Sequence, residues 1–504
     1  MSHKRRALQG SASNVARIAL SMVVAMVLPP LLVHRMVPAE YSAWVLILQT
    51  TAYINMLDLG LQTAIGKFVA QYDATGDRAS SGRILSTSFA ILCATALIGA
   101  LAIAFISWRV PQLFNQMPTI LIGEFRQGIL VVGLSVVLAL PFSAFLAAFT
   151  GLQKYGFPTF LALSNKLLSS TVLIVLIFLH GNLVQLGWVM ATFNIGTAIV
   201  QFLGWRQFID KRVAFSFNLV DRKTAMQLVK YGSSLSIWTI AALFVSGLDI
   251  IIVGHYDYKN TGYYGIATAV TNFMVLIIGG LFGPLVPALS AMQWERTPRQ
   301  IGEMVVRATR YCVLLICLAG LPLLVGAYPL LKLWVGQEYA IRSALFLQVL
   351  VLGNAVRQLG FPYSLAVVAT GKQHLATLAG VTEAVVNICV SVYLVQRIGA
   401  IGVALGTLAG AFISVTMHLA ISMKSTFSTI SMSRRHFVQE GLLRPLLCVI
   451  PSVLIIPELP KLSTLRLNPG WIAAWCVSTL GIAALTGLNR QDKYQIRQTF
   501  SRLL

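Results

Sequence analysis

Apolar runs of about 20 residues, separated by short polar turns, recur from one end of this chain to the other. In a helix, about 20 apolar residues cross roughly 30 Å of hydrocarbon, so each run predicts a membrane-spanning helix. One group of six covers 14–34, 41–64, 84–107, 129–150, 158–180 and 183–205. A second group of six covers 231–254, 261–290, 308–331, 343–369, 374–396 and 399–423. Two more runs follow outside these groups, at 442–458 and 470–488. Between them lie an inner polar turn, Asp73–Arg83, a basic linker, Arg206–Lys230, and a longest outer loop at Arg109–Gly128. Proline interrupts the helical pattern because it lacks the ladder donor and crowds the preceding turn. Pro29-Pro30 should kink or break the first helix, and Gly279-Gly280 with Pro284 and Pro287 should break the run 261–290.

One stretch returns within this pattern. Leu140–Lys154 reads LPFSAFLAAFTGLQK, and Gly360–His374 reads GFPYSLAVVATGKQH. At an offset of 220, Thr150, Gly151 and Gln153 fall on Thr370, Gly371 and Gln373, with Pro141 and Pro362 one place out of register. Further on, Leu186-Gly187-Trp188-Val189 echoes Ile401-Gly402-Val403-Ala404. Two echoes in the same order indicate a duplicated chain. An even number of helices per copy places both copies in the same orientation, the parallel kind of repeat. The expected fold class is an all-α polytopic membrane protein of about 14 transmembrane helices. It comprises an N-terminal six-helix lobe (1–205), a basic cytoplasmic linker (206–230), a C-terminal six-helix lobe (231–424), and a tail with two additional helices (425–504). A cavity between two such lobes, opened alternately to each side, is the expected transport route.

Composition and charge agree with this pattern. Charged residues make up 11% of the chain, against about 25% in soluble domains, and mean hydropathy is +0.77. Under the predicted topology, Lys and Arg favour the inner segments roughly three to one, as the positive-inside rule requires. Arg206, Lys211, Arg212, Arg222, Lys223 and Lys230 of the linker supply six of those inner charges. Both termini are therefore expected in the cytoplasm, and Arg5-Arg6 reads as part of a retained terminus rather than a secretion signal. The net charge of +22 is spread over short loops. It forms no aromatic-interleaved basic domain, so nucleic acid is not an expected partner. Cys93, Cys312, Cys317, Cys389, Cys448 and Cys476 all lie in apolar runs without CxxC spacing, which indicates neither a disulfide framework nor a zinc site. Trp44, Trp108, Trp334 and Trp471 lie near helix ends, where an interfacial aromatic belt is expected.

The stretch Tyr41–Asp77 reads YSAWVLILQTTAYINMLDLGLQTAIGKFVAQYDATGD. With Ser246-Gly247-Leu248-Asp249 and Gly262-Tyr263-Tyr264-Gly265, it resembles bacterial polysaccharide transporters of the O-antigen flippase type. These belong to the multidrug/oligosaccharidyl-lipid/polysaccharide exporter superfamily. Ser42 departs from the pattern, standing where these proteins commonly carry Gly. The resemblance implies two six-helix lobes and two peripheral helices. It also implies flipping of an undecaprenyl-diphosphate-linked oligosaccharide across the bacterial inner membrane, for surface polysaccharide such as O-antigen, lipopolysaccharide or exopolysaccharide. Expected partners are that lipid-linked substrate, membrane lipids, and a polysaccharide polymerase or assembly proteins.

Charge inside the membrane supplies the candidate chemistry. A cation at mid-depth is costly and should face protein or water. Arg357, with Asn354 one turn before it, Lys166, with Ser169 and Ser170 one turn on, and Arg17 at the inner mouth are the candidate diphosphate ligands. Arg offers a fork of donors to phosphate, and Lys a point charge. Pairing of Arg357 with Glu383 is the alternative for that residue. Glu383, Asp249 and Asp58 are the acids inside predicted helices and the candidates for coupling to a proton or sodium ion. Pro29, Pro30, Pro284 and Pro362 are the candidate hinges. No cofactor, no resident metal and no catalytic residue is expected. His34, His180, His255, His374 and His418 are scattered and read as packed or interfacial. Two alternatives remain open. An ion-coupled drug exporter should be dominated by acids and aromatics around its site. A glycosyltransferase or polymerase should carry a general base or metal-binding acids in an outer loop.

Overall fold

The computed structural model describes residues 3–58, 60–232, 248–450 and 477–482, and every regular element among them is helical. In chain order these are α1 (His3–Val33), α2 (Pro38–Ala52), α3 (Leu61–Thr75), α4 (Arg78–Leu113), α5 (Thr119–Ala139), α6 (Ser143–Gly151), α7 (Gly156–Phe178), α8 (Leu183–Phe208) and α9 (222–232). Then come α10 (Leu248–Tyr256), α11 (Thr261–Phe282), α12 (Leu285–Glu295), α13 (Pro298–Val325), α14 (Ala327–Val335), α15 (Gln337–Leu359), α16 (Phe361–Ala369), α17 (Gln373–Ile398), α18 (Ala400–Met417) and a last helix, α19, over 434–446. Among the described residues, nine helices are long and apolar enough to cross a membrane, α4 and α17 being examples, and Ala19–Val33 is a shorter apolar stretch. The predicted all-α polytopic architecture is the one observed. Most of the predicted spans 231–254 and 470–488, and the second half of 442–458, lie outside the described residues.

Three predicted boundaries are corrected. The run 41–64 is not one helix. After α2 the chain tightens into a 3-10 turn, Tyr53–Asp58, and restarts after Gly60, whose φ of 69° is left-handed and suits glycine. The outer loop Arg109–Gly128 is mostly helix, because α4 runs on to Leu113 and α5 begins at Thr119. There Phe114 meets Phe125 edge-on at 5.5 Å, and the Ser107 hydroxyl donates to the Arg126 carbonyl. An apolar-run criterion stops at the edge of the hydrocarbon, while backbone hydrogen bonding carries the helix beyond it. Finally, α1 runs through Pro29 and Pro30 and ends one turn later at Val33. The break in 261–290 falls at Gly283-Pro284, and Gly279-Gly280 stay helical within α11.

The chain divides into two compact units. Unit 1 comprises Met1–Leu243 and Val253–Gly262, and unit 2 comprises Phe244–Ile252 and Tyr263–Leu504. In unit 1, α5 packs along α8 and against α2 and α4, while α7 packs on α1 and α3 on α6. An aromatic cluster closes one end. Phe145 touches Trp205, Phe202 and Phe215, and the Trp205 indole donates to the Val213 carbonyl, which fixes the start of the basic linker. The segment Val253–Gly262 is tied to unit 1 by Gln116, which bonds Tyr256 and Tyr258, and by Tyr258, whose hydroxyl donates to the Ala39 carbonyl. Ser42, the departure from the family pattern, has a job here: its hydroxyl accepts the Gly262 N–H at 2.9 Å, in the first turn of α11. Apolar side chains also cover the outside. On α4, Leu97, Leu101, Phe105 and Trp108 form one exposed stripe at helical spacing, as a lipid-facing surface should. Trp44 is different: it is buried, with 1% exposure, and does not belong to an interfacial belt.

Unit 2 repeats the plan, with α15 against α18, α13 against α15, and α12 against α16. Its tightest contact is α17 on α18. Gly402, Gly406 and Gly410 recur every four residues on α18 and let the backbones approach. A Cβ at Gly406 would lie 2.0 Å from Ser391 Oγ, and one at Gly410 would lie 2.9 Å from the Glu383 carbonyl. In lipid, where apolar surface gains nothing by leaving solvent, close packing of small residues is what joins helices.

The structure also corrects the register of the repeat. In both units a short helix ends in a turn whose N–H groups reach back to the last carbonyls, a Schellman-type cap. In unit 1, Lys154 N–H bonds Phe149 O and Gln153 N–H bonds Thr150 O. In unit 2, Lys372 N–H bonds Val367 O and Gly371 N–H bonds Val368 O. Gln153 (φ 55°) therefore corresponds to Gly371 (φ 76°), not to Gln373. The Thr-Gly identity led the sequence match two residues astray. Hydrogen bonding at the helix end, not residue type, sets the equivalence.

Candidate functional site

Among the described residues, a polar cluster lies within each unit near the duplicated helices α7 and α17, and the two are built differently. In unit 2 the cluster spans α10, α11, α15, α17 and α18. Asp249, at the start of α10, is buried. Its Oδ2 accepts from the Thr407 hydroxyl (2.6 Å) and the Tyr264 hydroxyl (3.2 Å), and its Oδ1 from the Asn387 amide (3.2 Å). Ser391 donates to Asn387 Oδ1, and both Ser391 and Thr407 also reach the Val403 carbonyl. Glu383, Asn387 and Ser391 sit at spacings of four, so one face of α17 carries all three. Further along that face, Arg357 Nε donates to Glu383 Oε1 at 2.5 Å, and Nη1 donates to Asn354 Oδ1 at 2.8 Å. Arg357 thus pairs with Glu383, while its Nη2 is buried without a hydrogen-bond partner. The polar column goes on through His418, which opens a five-residue π-helical segment, His418–Ser422, and bonds Ser422. Tyr363 stands edge-on to His418 at 5.4 Å and bonds Thr426 at 2.7 Å.

In unit 1 the corresponding place is a cavity of about 380 Å³ between α1, α2, α6, α7 and α8. Leu28, Leu48, Leu146 and Leu161 are among its apolar lining residues. Asn165, Lys166, Ser169, Ser170, Asn194, Thr197, Gln201 and Trp44 supply the polar lining. Here the polar groups are left open. The Trp44 indole N–H, Asn165 Oδ1 and Gln201 Oε1 are buried with no hydrogen-bond partner. Lys166 is the eleventh residue of α7, and Glu383 is the eleventh of α17. By the register of the two caps, Glu383 falls on Asn165, and Lys166 is the next residue along α7.

The remaining candidates fall as follows. Arg17 lies on α1 with an exposed side chain and does not line the cavity. Asp58 closes the 3-10 turn before Gly60. Its Oδ2 lies 3.5 Å from the Gln62 N–H, and its Oδ1 is buried without a partner. Pro29 and Pro30 are inside α1, Pro284 precedes α12, and Pro362 sits in the first turn of α16 just after the break at Gly360. Ser246 and Gly247, the first two residues of the motif that ends in Asp249, lie outside the described residues. No cluster of three or more His, Cys, Asp or Glu able to hold a metal occurs among the described residues. Tyr264, Asn387, Ser391, Thr407 and Gln201 were missed from sequence. The signal lay in two four-residue spacings, Glu383/Asn387/Ser391 and Gly402/Gly406/Gly410, which place a polar face against a glycine face.

A duplicated membrane bundle with a charged cluster inside each unit is the architecture of a multi-pass membrane transporter fold. Comparison with solved structures supports that class. The chain resembles a lipid II flippase, MurJ, in an inward closed conformation, with a TM-score of 0.70 at 15% identity over 95% of this chain and 98% of that one. It also resembles a multidrug resistance MATE family transporter of the MOP superfamily, with a TM-score of 0.65 at 14% identity over 84% of this chain and 100% of that one. At such identities the likeness establishes the fold. The chain itself belongs to the polysaccharide biosynthesis protein family, whose profile matches residues 19–343, more than half its length. It is also 23% identical, over 209 residues, to a probable low-salt glycan biosynthesis flippase, Agl15, of Haloferax volcanii. That match spans 41% of this chain and 44% of the relative, less than half of either.

Proposed function

We propose that this protein is a flippase, a transporter and not an enzyme, that moves a lipid-linked oligosaccharide across the bacterial inner membrane for surface polysaccharide biosynthesis. An undecaprenyl-diphosphate-linked glycan is the cargo that fits best, with both termini in the cytoplasm. The observation that carries this reading is cationic and amide chemistry within the helix bundle of a chain of the polysaccharide biosynthesis family. Lys166 lines an open polar cavity, and Arg357 keeps an unpaired buried N–H group. Both are donors suited to the phosphate of a lipid diphosphate. Arg17 adds positive charge on α1. The lobes act by alternating exposure of these groups to the two faces of the membrane.

Coupling is assigned to the Asp249 cluster. Glu383 is neutralised by Arg357, which leaves Asp249 as the acid whose partners are all uncharged. A buried carboxylate facing the hydroxyl oxygens of Thr407 and Tyr264 suits a proton or a sodium ion, since hard cations take oxygen ligands. Asp58 is the weaker choice, because its carboxylate faces a backbone N–H, that of Gln62, rather than hydroxyl oxygens.

Deleting the protein in its host and following lipid-linked oligosaccharide by mass spectrometry tests the function. Full-length precursor should accumulate on the inner leaflet while surface polymer is lost. A shortened glycan would make the protein a transferase, and normal glycans with altered drug tolerance would move it to drug export.

A further inference from the structure

We infer that the cavity of unit 1 is a sugar-binding subsite, read by the amides of Asn165 and Gln201 and by the indole N–H of Trp44. The inference rests on the glycan-flippase reading above and says which part of the cargo this cavity takes. At about 380 Å³, it lies at the small end of ligand sites, which run to roughly 300–1,000 Å³. It has room for a sugar unit and not for a whole oligosaccharide. Its lining mixes amides and hydroxyls with apolar walls, and the only titratable side chain in that lining is Lys166. A lipid chain or an organic cation would leave Asn165 Oδ1, Gln201 Oε1 and the Trp44 N–H without partners. A phosphate alone would engage Lys166 and leave the two carbonyl oxygens bare. A polyol supplies both kinds of group, with hydroxyl hydrogens for the amide oxygens and a ring or hydroxyl oxygen for the indole N–H.

Unit 2 also has buried polar atoms without a partner, Arg357 Nη2 and Gln358 Oε1 among them, but the amide and hydroxyls around its Asp249 are paired. There the amide of Asn387 and the hydroxyls of Ser391, Thr407 and Tyr264 bond one another or Asp249. In unit 1 Trp44 is 1% exposed and still has an unpaired N–H. A buried polar group without a partner is rare in folded proteins and calls for an explanation. Three of them among the side chains lining one cavity are explained together by one bound polyol.

The test uses the full chain in lipid nanodiscs with free glucose, galactose and N-acetylglucosamine at millimolar concentration, read by saturation-transfer NMR. Transfer to at least one sugar is expected. Apparent affinity should fall about tenfold in Asn165→Ala and in Gln201→Ala, the worth of one hydrogen bond to a buried partner. Trp44→Phe, which keeps the ring and loses the N–H, should fall several-fold. Leu168→Ala, exposed on the same helix, should bind as the wild type does. No transfer to any sugar, or equal affinity in all four variants, overturns the subsite. The flippase reading fails separately. If the wild-type chain does not relieve precursor accumulation in the deletion host, flipping is wrong, whatever the NMR shows. If it does, and Asn165→Ala and Gln201→Ala at equal abundance flip precursor with unchanged half-saturation, only the sugar subsite is wrong.

Discussion

The two units share a helical plan and differ at its centre. In unit 2 the central polar groups are largely bonded to one another: Arg357 with Glu383 and Asn354, leaving its Nη2 without a partner, and Asp249 with Thr407, Asn387 and Tyr264. In unit 1 a cavity holds polar groups that are left open, Asn165, Gln201 and Trp44, and Lys166 lines it. Duplication thus fixed the frame, and a few substitutions on α7 and α17 gave one copy an open site and the other a closed network. Shape is inherited through helix breaks and caps, while charge is free to diverge.

The sharpest way to break this comparison is at the glycines. Gly406→Leu puts a side chain where even a Cβ meets Ser391 Oγ at 2.0 Å, and overpacking typically costs 1–3 kcal/mol or more. Folded protein recovered in detergent should drop severely. Gly196→Ala on α8, with nothing within 4 Å of the new Cβ, should be recovered at wild-type yield. Next comes the charge pair. Glu383→Gln leaves Arg357 buried without its counter-ion, and removing one partner of a buried pair costs about 3–5 kcal/mol. Arg357 retains some exposure, so the lower end of that range is expected, as a clear fall in thermal midpoint. Lys166→Gln on α7 should leave the midpoint nearly unchanged, because no ion pair is lost there.

A smaller effect separates the two turns. Gln153→Gly should stabilise and Gly371→Ala destabilise, each by about 1 kcal/mol, since non-glycine residues pay that much in the left-handed region. The smallest effect is acid sensitivity at the linker and the first inner turn. Hydrogen bonds from Ser80 hold the Asp77 carboxyl below its usual range, and those from Thr224 do the same for Asp221. A carboxyl depressed on folding stabilises the folded state above its unfolded pKa and loses that contribution as pH falls through the folded value. A modest loss of thermal midpoint on acidification below about pH 4 should therefore shrink in Asp77→Asn and Asp221→Asn.

Much of this was legible in the sequence because lipid imposes simple demands. Long apolar runs gave the helices, and the echo of Leu140–Lys154 in Gly360–His374 gave the duplication. Gly262-Tyr263-Tyr264-Gly265 and Leu248-Asp249 were noticed as separate motifs, and the structure joins them through the Tyr264–Asp249 hydrogen bond. Arg357 and Lys166 stood out because charge is rare at that depth. The open cavity did not stand out. Asn165, Gln201 and Trp44 come from three helices, and nothing in their spacing announces that they meet. Trp44 even mimicked an interfacial residue by its place near a helix end. The register of the repeat was misread because Thr-Gly is a stronger match to the eye than the cap geometry that aligns Gln153 with Gly371.

Division of labour between the units is the central claim, and transport by the purified chain in liposomes tests it most directly. Flipping of a lipid-linked oligosaccharide would be measured against donor concentration and against an imposed proton or sodium gradient, in the wild type, Lys166→Gln and Asp249→Asn. The account predicts that Lys166→Gln raises the half-saturating donor concentration and keeps the gradient dependence. Asp249→Asn should remove the gradient dependence and keep the half-saturation. If both variants change the same parameter, or neither changes either one, the two units do not hold separate tasks.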